Sequence, residues 1–301
     1  MLERLTIPQG WPLAIACGLA LALSLGALLS GYRWLRETTL LPAWMWAIVA
    51  INSLGITQIA ASFSPVSGPS TSLSPLEWAI ATLTFCPAIA LLGAMRPQHA
   101  YWNFIVGSAW LMLALPAAET YFMNPGQRLE VGDARAWFLW LMIALGPINF
   151  LATRFWLGSL LLALGQIVIF SSDLPLIAGS IGASPITAGF FIMVAAALSA
   201  FAASHYERKA TNPFDALWLE FRDAYGMLWG LRFAERVNSA AAMYGWDFSL
   251  RWEGFRHNQT GESPFPAVPD VDKTLRNTLH GIVRRFFSTG VIALRLGNEV
   301  N

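Results

Sequence analysis

Seven apolar stretches, each of about the length needed to cross a lipid bilayer, follow one another through residues 1–204 of this chain. An α-helix rises 1.5 Å per residue, so the roughly 30 Å hydrocarbon core needs about 20 mainly apolar residues. Charged side chains number 14 in residues 1–204 but 23 in the 97 residues that follow. The pattern predicts an all-α polytopic membrane protein with about seven transmembrane helices, followed by a small α-rich (α+β) cytoplasmic domain at residues 205–301. The predicted spans are approximately 12–30, 43–62, 77–95, 100–118, 136–151, 154–170 and 186–204.

Composition excludes several protein classes. Hydrophobic residues make up 55% of the chain and charged residues 12%, about half the charged share of a typical soluble domain. The net charge of +1 comes without a basic patch, so no nucleic-acid partner is expected. No phosphate-binding glycine motif or C-x-x-C pair occurs, and no two of the four histidines stand four residues apart. We therefore predict no catalytic residues, no metal site and no cofactor.

The apolar stretch from Ala136 to Phe170 is too long for one span. As a single helix its 35 residues would reach about 52 Å, well beyond the hydrocarbon core. Gly146 and Pro147 interrupt it, and a short run from Asn149 to Arg154 contains polar side chains. We predict that the stretch folds back there as a hairpin of two spans.

Orientation follows from the basic residues of the short loops, which favour the cytoplasmic side. An outside N-terminus puts six basic residues inside and three outside. The high ratio of arginine to lysine, 17 to 2, is typical of high-GC bacterial coding. We expect a bacterial inner-membrane protein with its N-terminus outside and its C-terminus cytoplasmic, whose first apolar stretch is a retained anchor rather than a cleaved signal peptide. The inside set is Arg33, Arg36, Arg96, Arg154, Arg208 and Lys209, and the outside set is Arg4, Arg128 and Arg135.

The sequence after residue 205 predicts a folded region. Asn212 and Pro213 predict a helix start, after which apolar residues recur at three- and four-residue steps while Arg222 and Asp223 fall on other faces. From Trp246 to Trp252 the period changes to two, which predicts a half-buried strand, and another helix should begin near Asp270. The long helix carries both charge signs, so packing against protein is favoured over lying along the membrane surface.

Three sets of candidate functional residues emerge. Acidic side chains near the outer span ends, Glu77, Glu119 and Asp173, would form a vestibule that attracts cations, or simply be solvated cap residues, which is the favoured interpretation. Amides within the spans would bond between helices or, less favoured, line a substrate path: these are Gln58, Asn149 and Gln166. Tryptophans of the C-terminal region would pack in its core or contact a partner: Trp218, Trp229 and Trp252.

Three functions remain open. The first is a non-catalytic anchor, sensor or assembly protein that binds the bilayer through its spans and a protein partner through residues 205–301. The second is a small permease or channel entered through the acidic vestibule. The third is a membrane enzyme acting on lipid or polyprenyl groups, for which the inner-face candidates are Glu37, Arg96, His99 and Arg154.

Overall fold

The computed structural model describes residues 10–63, 73–95, 99–125, 127, 129–177, 185–206, 210, 212–265 and 269–296. The described chain is mostly helical and contains one small sheet. The helices of the N-terminal part are α1 (Trp11–Ser30), α2 (Tyr32–Leu35), α3 (Leu41–Ser62), α4 (Pro75–Thr82), α5 (Cys86–Leu92), α6 (His99–Met123), α7 (Asp133–Phe150), α8 (Trp156–Ile169) and α9 (Pro185–His205).

Five helical segments among the described residues are long and apolar enough to cross a membrane. They coincide with five of the predicted spans: Trp11–Ser30, Leu41–Ser62, Pro75–Leu92, Tyr101–Met123 and Pro185–His205. The third is broken by a 3-10 turn at Leu83–Phe85, between α4 and α5. Pro87 has no N–H to donate to the carbonyl of Leu83, which instead accepts from the backbone of Cys86. The apolar helices indicate a membrane protein.

The stretch from Ala136 to Phe170 forms two helices, α7 and α8, joined by a turn at residues 151–155 and packed on each other. They measure about 27 and 21 Å, so each is shorter than the hydrocarbon core. Beyond α8 the chain continues without regular structure, and its apolar residues Phe170 and Leu174 are buried in the bundle. Irregular backbone at membrane depth is stable where protein covers it in this way.

Glycine allows α8 and α9 to pack closely. A Cβ atom at Gly189 would lie 2.3 Å from the Cγ1 of Ile169 and 2.8 Å from the main-chain oxygen of Gly165. Without a hydrophobic driving force between helices in lipid, such close backbone approach is a main source of helix association.

The C-terminal region forms α10 (Pro213–Tyr244), the strands β1 (Phe248–Arg251) and β2 (Gly254–His257), α11 (Pro269–Val283) and α12 (Thr289–Leu296). β1 and β2 pair antiparallel, with Phe248 opposite His257 and Arg251 opposite Gly254. The strand predicted around Phe248 thus has a partner that its sequence pattern did not reveal, because Gly254, Arg256 and His257 break the apolar alternation of a half-buried strand.

Two apolar cores result. One fills the bundle of the first nine helices, and the other lies between α10, the β-hairpin, α11 and α12. The second core also takes in Leu91 from the last turn of α5, and Leu40 and Ala94 from connections between the N-terminal helices. The C-terminal region is therefore packed on one end of the bundle.

Candidate functional site: the tail junction

The described C-terminal residues 212–296, called the tail here, contact three connections at one end of the helix bundle. These are residues 34–40 between α1 and α3, residues 91–95 at the end of α5, and residues 149–155 between α7 and α8. We call this contact region the tail junction. Hydrogen bonds join the tail to each of the three connections, so this is where the bundle and the tail can influence each other.

Asn149 fills a break in α10. Gly226 leaves the helical conformation with φ 74° and ψ −167°, which separates the backbone groups on either side from their usual partners. The Nδ2 of Asn149 donates to the carbonyl oxygen of Tyr225 at 3.3 Å, and the backbone N–H of Leu228 donates to its Oδ1 at 2.8 Å. One amide thus replaces two backbone partners. A Cβ at Gly226 would lie 2.2 Å from that Nδ2, so the position requires glycine for both space and conformation.

A charge cluster forms the second contact. Asp223 is 2% exposed and Arg222 3%, and the Nη2 of Arg222 lies 2.9 Å from the Oδ1 of Asp223. The Nε of Arg154, in the turn between α7 and α8, lies 3.6 Å from the other carboxylate oxygen. Burying these charges is tolerable because each faces an opposite charge. The cluster links the tail to the bundle and leaves Arg222 and Asp223 on a buried face rather than in solvent.

The three predicted tryptophans all donate their indole N–H groups to main-chain carbonyls. Trp218 donates to the oxygen of Trp252 at 3.1 Å, Trp229 to that of Leu91 at 3.0 Å, and Trp252 to that of Ala152 at 2.9 Å. Trp218 and Trp229 are 1% and 4% exposed, so their neighbours belong to the same chain. Two of the three bonds cross the tail junction.

Residues 37–39 provide the third contact. Thr38 and Phe287 form an isolated antiparallel bridge. The N–H of Thr39 donates to the oxygen of Phe286 at 3.0 Å, and that of Ser288 donates to the oxygen of Glu37 at 2.9 Å. The hydroxyl of Tyr225 also donates to the main-chain oxygen of Phe286 at 3.1 Å. The Oγ1 of Thr39 lies 3.1 Å from the same Tyr225 hydroxyl. A short piece of sheet therefore ties the first helix connection to the segment before α12.

The acidic side chains of the predicted vestibule have separate local partners. Glu77 and Ser74 form a capping box at the start of α4. Both carboxylate oxygens of Glu119 accept from Arg135, at 2.9 and 3.0 Å, which offsets that negative charge. Asp173 accepts from the hydroxyl of Ser172. The vestibule stays a prediction, and the positive charge of Arg135 offsets the negative charge of Glu119 within it.

The predicted intramembrane amides are used differently. The Nε2 of Gln166 donates to the carbonyl oxygen of Thr84 at 3.3 Å, in the break between α4 and α5. The Oε1 of Gln58 accepts from the hydroxyl of Thr187 at 2.6 Å, while its buried Nε2 has no hydrogen-bond partner among the described residues. Asn149 lies in the last turn of α7 at the tail junction, where α10 occupies both ends of its amide. These contacts join helices, as expected for polar groups between spans.

Chemistry-bearing groups are sparse in the described part of the chain. The described residues contain no group of three or more His, Cys, Asp or Glu side chains that could hold a metal ion. Of the inner-face residues considered for a membrane enzyme, Glu37 pairs with Arg36 and Arg154 pairs with Asp223. Arg96 lies outside the described residues, as does the side chain of His99.

Sequence reasoning missed the junction residues Thr39, Ala152, Tyr225 and Asp223. Thr39 and Ala152 contribute through the backbone or a small hydroxyl, which carries little signal. A usable signal was the adjacent pair Arg222-Asp223, because it lies between two aromatic residues, Phe221 and Tyr225, on the helix. Charges set into such a run indicate a buried ion pair as well as a solvated face.

Comparison with known proteins adds no functional information. The chain matches no family model, and no curated protein and no solved structure is similar to it at a significant level.

Proposed function

We propose that this protein is a non-catalytic anchor, sensor or assembly protein of the bacterial inner membrane that acts through its C-terminal domain, residues 205–301. The tail junction is the observation that carries the proposal. The tail is hydrogen-bonded to three separate helix connections. A change in the arrangement of the bundle helices would therefore shift the tail, and a change in the tail would shift the helices. A partner protein that binds the tail would then bind a surface whose shape depends on how the bundle helices are arranged.

The proposal includes seven crossings with the N-terminus outside. Its support is the alternation of helix ends at the junction: α1, α5 and α7 end there, whereas α3 and α8 begin there. The described basic residues Arg33, Arg36 and Arg154 belong to these connections, which is the arrangement expected on a cytoplasmic side. In this topology α7 and α8 cross as a pair, with apolar irregular backbone extending the short α8.

Orientation is tested by thiol labelling. Gln259 is exposed at the end of the β-hairpin opposite Trp252, whereas the native Cys17 and Cys86 are fully buried. In a Gln259→Cys variant, a membrane-impermeant maleimide should label only after the inner membrane is permeabilised. Equal labelling in intact spheroplasts, with the native cysteines silent in the wild type, would contradict a cytoplasmic tail.

Partner binding is tested on the full chain in its own membranes by quantitative cross-linking. We expect one protein to cross-link to residues 212–296, and to be lost when Trp252→Phe removes the bond to Ala152. Trp140→Phe is the matched control, because its indole donates to the oxygen of Pro175, away from the tail. If the tail cross-linked to no other protein in wild-type membranes, the proposal that it binds a protein partner would be wrong.

A small permease or channel is the second candidate, and one observation favours it. The amide nitrogen of Gln58 is buried in a candidate span without a hydrogen-bond partner among the described residues, and the neighbouring third span is broken at Leu83–Phe85. Broken helices and free polar groups occur where transporters bind their substrates. Reconstituted protein should then conduct a small cation, and Gln58→Leu should change the flux while Asn52→Leu, whose amide bonds within its own helix, should not. Flux no higher than in empty liposomes would exclude this candidate.

A further inference from the structure

The second half of α10 starts beside the ends of two helices of the bundle. The indole of Trp229 donates to the carbonyl oxygen of Leu91, which lies in the last turns of the candidate span Pro75–Leu92. The backbone N–H of Leu228 donates to Asn149 in the last turn of α7. Residues 228 and 229 are thus hydrogen-bonded directly to the ends of two bundle helices, so the helix cannot begin far out in solvent.

The exposed side chains at this level are apolar on both sides of the contact. Ile148, next to Asn149 on α7, is 58% exposed, and Leu151 is similarly exposed. On α10, Leu231 is 55% exposed and Leu228 is partly exposed. These four side chains extend the apolar outer surface of α7, where Leu141 and Trp137 are also exposed. Such a surface on a membrane protein faces lipid, and the exposed residues of α10 begin beside it, where the N–H of Leu228 donates to Asn149.

The outer face of α10 changes character within one turn. After Leu228 and Leu231, the next exposed residues are Arg232, Glu235, Arg236 and Ser239. The guanidinium of Arg232 lies 5.1 Å from the ring of Trp229, so its long side chain reaches back along the aromatic surface. Arg232 itself is exposed, and an exposed arginine that directly follows apolar residues on a helix surface is characteristic of the membrane interface.

We propose that α10 lies partly in the tail-side leaflet, with Leu228 and Leu231 inserted among lipid acyl chains and the water boundary at Arg232. The occupant of this apolar patch is the bilayer itself. The tail is then held by three helix connections and by lipid, so the lipid composition of that leaflet acts on the same segment of α10 that Asn149 holds at its break.

A fluorescent label that reports its surroundings tests the placement. Leu231→Cys and Ser239→Cys are made in the otherwise native chain, whose own two cysteines are fully buried, and are labelled with an environment-sensitive dye. Ser239 is a matched control because it is exposed on the same helix, eight residues or about 12 Å farther along. The full protein is reconstituted in phosphatidylcholine vesicles with or without bromine on the acyl chains, and iodide is the aqueous quencher.

The label at 231 should be quenched by brominated lipid and protected from iodide, and the label at 239 should show the opposite behaviour. Strong iodide quenching at 231 would place Leu231 in water and overturn the proposal. Brominated-lipid quenching at both sites would contradict a boundary at Arg232. Protection from both quenchers at 231 would show a protein neighbour instead of lipid. Tryptophan fluorescence of each labelled protein checks that the tail core has formed.

Discussion

Replacing Asn149 by alanine tests whether the tail junction holds the tail in place. The substitution removes the acceptor for the N–H of Leu228 and the donor for the carbonyl of Tyr225, both at the break of α10. Because Gly226 is not helical, neither group can regain a partner by a small shift of the same helix. We therefore expect Asn149→Ala to loosen the contact between α7 and α10.

The magnitude follows from the two lost bonds. A buried polar group left without a partner costs about 1–3 kcal/mol. The break lies one helical turn from the exposed Arg232, so water that reaches in from this boundary will replace part of the loss. We expect the free energy of unfolding to fall by about 2–4 kcal/mol. By the scaling for domains of 150–250 residues, this lowers the melting temperature by about 4–16 °C.

Thermal unfolding of the full chain in mild detergent, followed by tryptophan fluorescence, measures this effect. Asn52→Ala is the matched control, because the amide of Asn52 donates to the oxygen of Ile48 within its own helix. The control should melt close to the wild type. If Asn149→Ala melted together with Asn52→Ala, the amide would not be holding the break, and the argument for coupling through this point would be refuted.

The same melting assay checks three further substitutions. Asp223→Ala leaves the buried Arg222 without its carboxylate and should lower the free energy of unfolding by about 3–5 kcal/mol; a change as small as that of a surface pair would show that the cluster is not buried in solution. Glu119→Gln breaks a pair that is more than a third exposed, and exposed ion pairs contribute little, so we expect the melting temperature to stay close to that of the wild type. Gly189→Ala puts a methyl group 2.3 Å from a neighbouring side chain and should lower the melting temperature. Gly107→Ala is the control: nothing lies within 4 Å of its new methyl group, so the melting temperature should stay unchanged or rise. Equal effects of the two substitutions would argue against close packing of α8 and α9.

Much of the helical framework could be predicted from sequence because length and hydropathy are local properties. The bounds of the first stretch, 12–30, compare with Trp11–Ser30, and the excess length of residues 136–170 required a turn that lies at 151–155. The helix start at Asn212 was also predictable, since its side chain caps the N–H of Asp215 as an asparagine in that position should. Such features depend on a few neighbouring residues.

The tail junction was not predictable, because its residues acquire their roles from segments far away in the chain. Asn149 reads as a mid-span amide, and only the position of Gly226, 77 residues later, makes it the bridge across a broken helix. The sequence pattern places Arg222 and Asp223 on the polar side of an amphipathic helix, but in the fold they are buried, with the opposite charge of Arg154 3.6 Å from Asp223. Periodicity describes which residues share a face and does not describe what covers that face.

The bridge between Thr38 and Phe287 can form only late in synthesis, because its two segments are far apart in the chain. About 250 residues separate Glu37 from Ser288, its hydrogen-bond partner, and ribosomes add roughly 5–20 residues per second. For roughly 12–50 s, therefore, the first helix connection exists in the cell while the strand that completes it has not been made. The helices of the bundle are therefore synthesised before the segment that bonds to residues 37–39, and in an unfinished chain the backbone groups of Glu37 and Thr39 still lack these two partners.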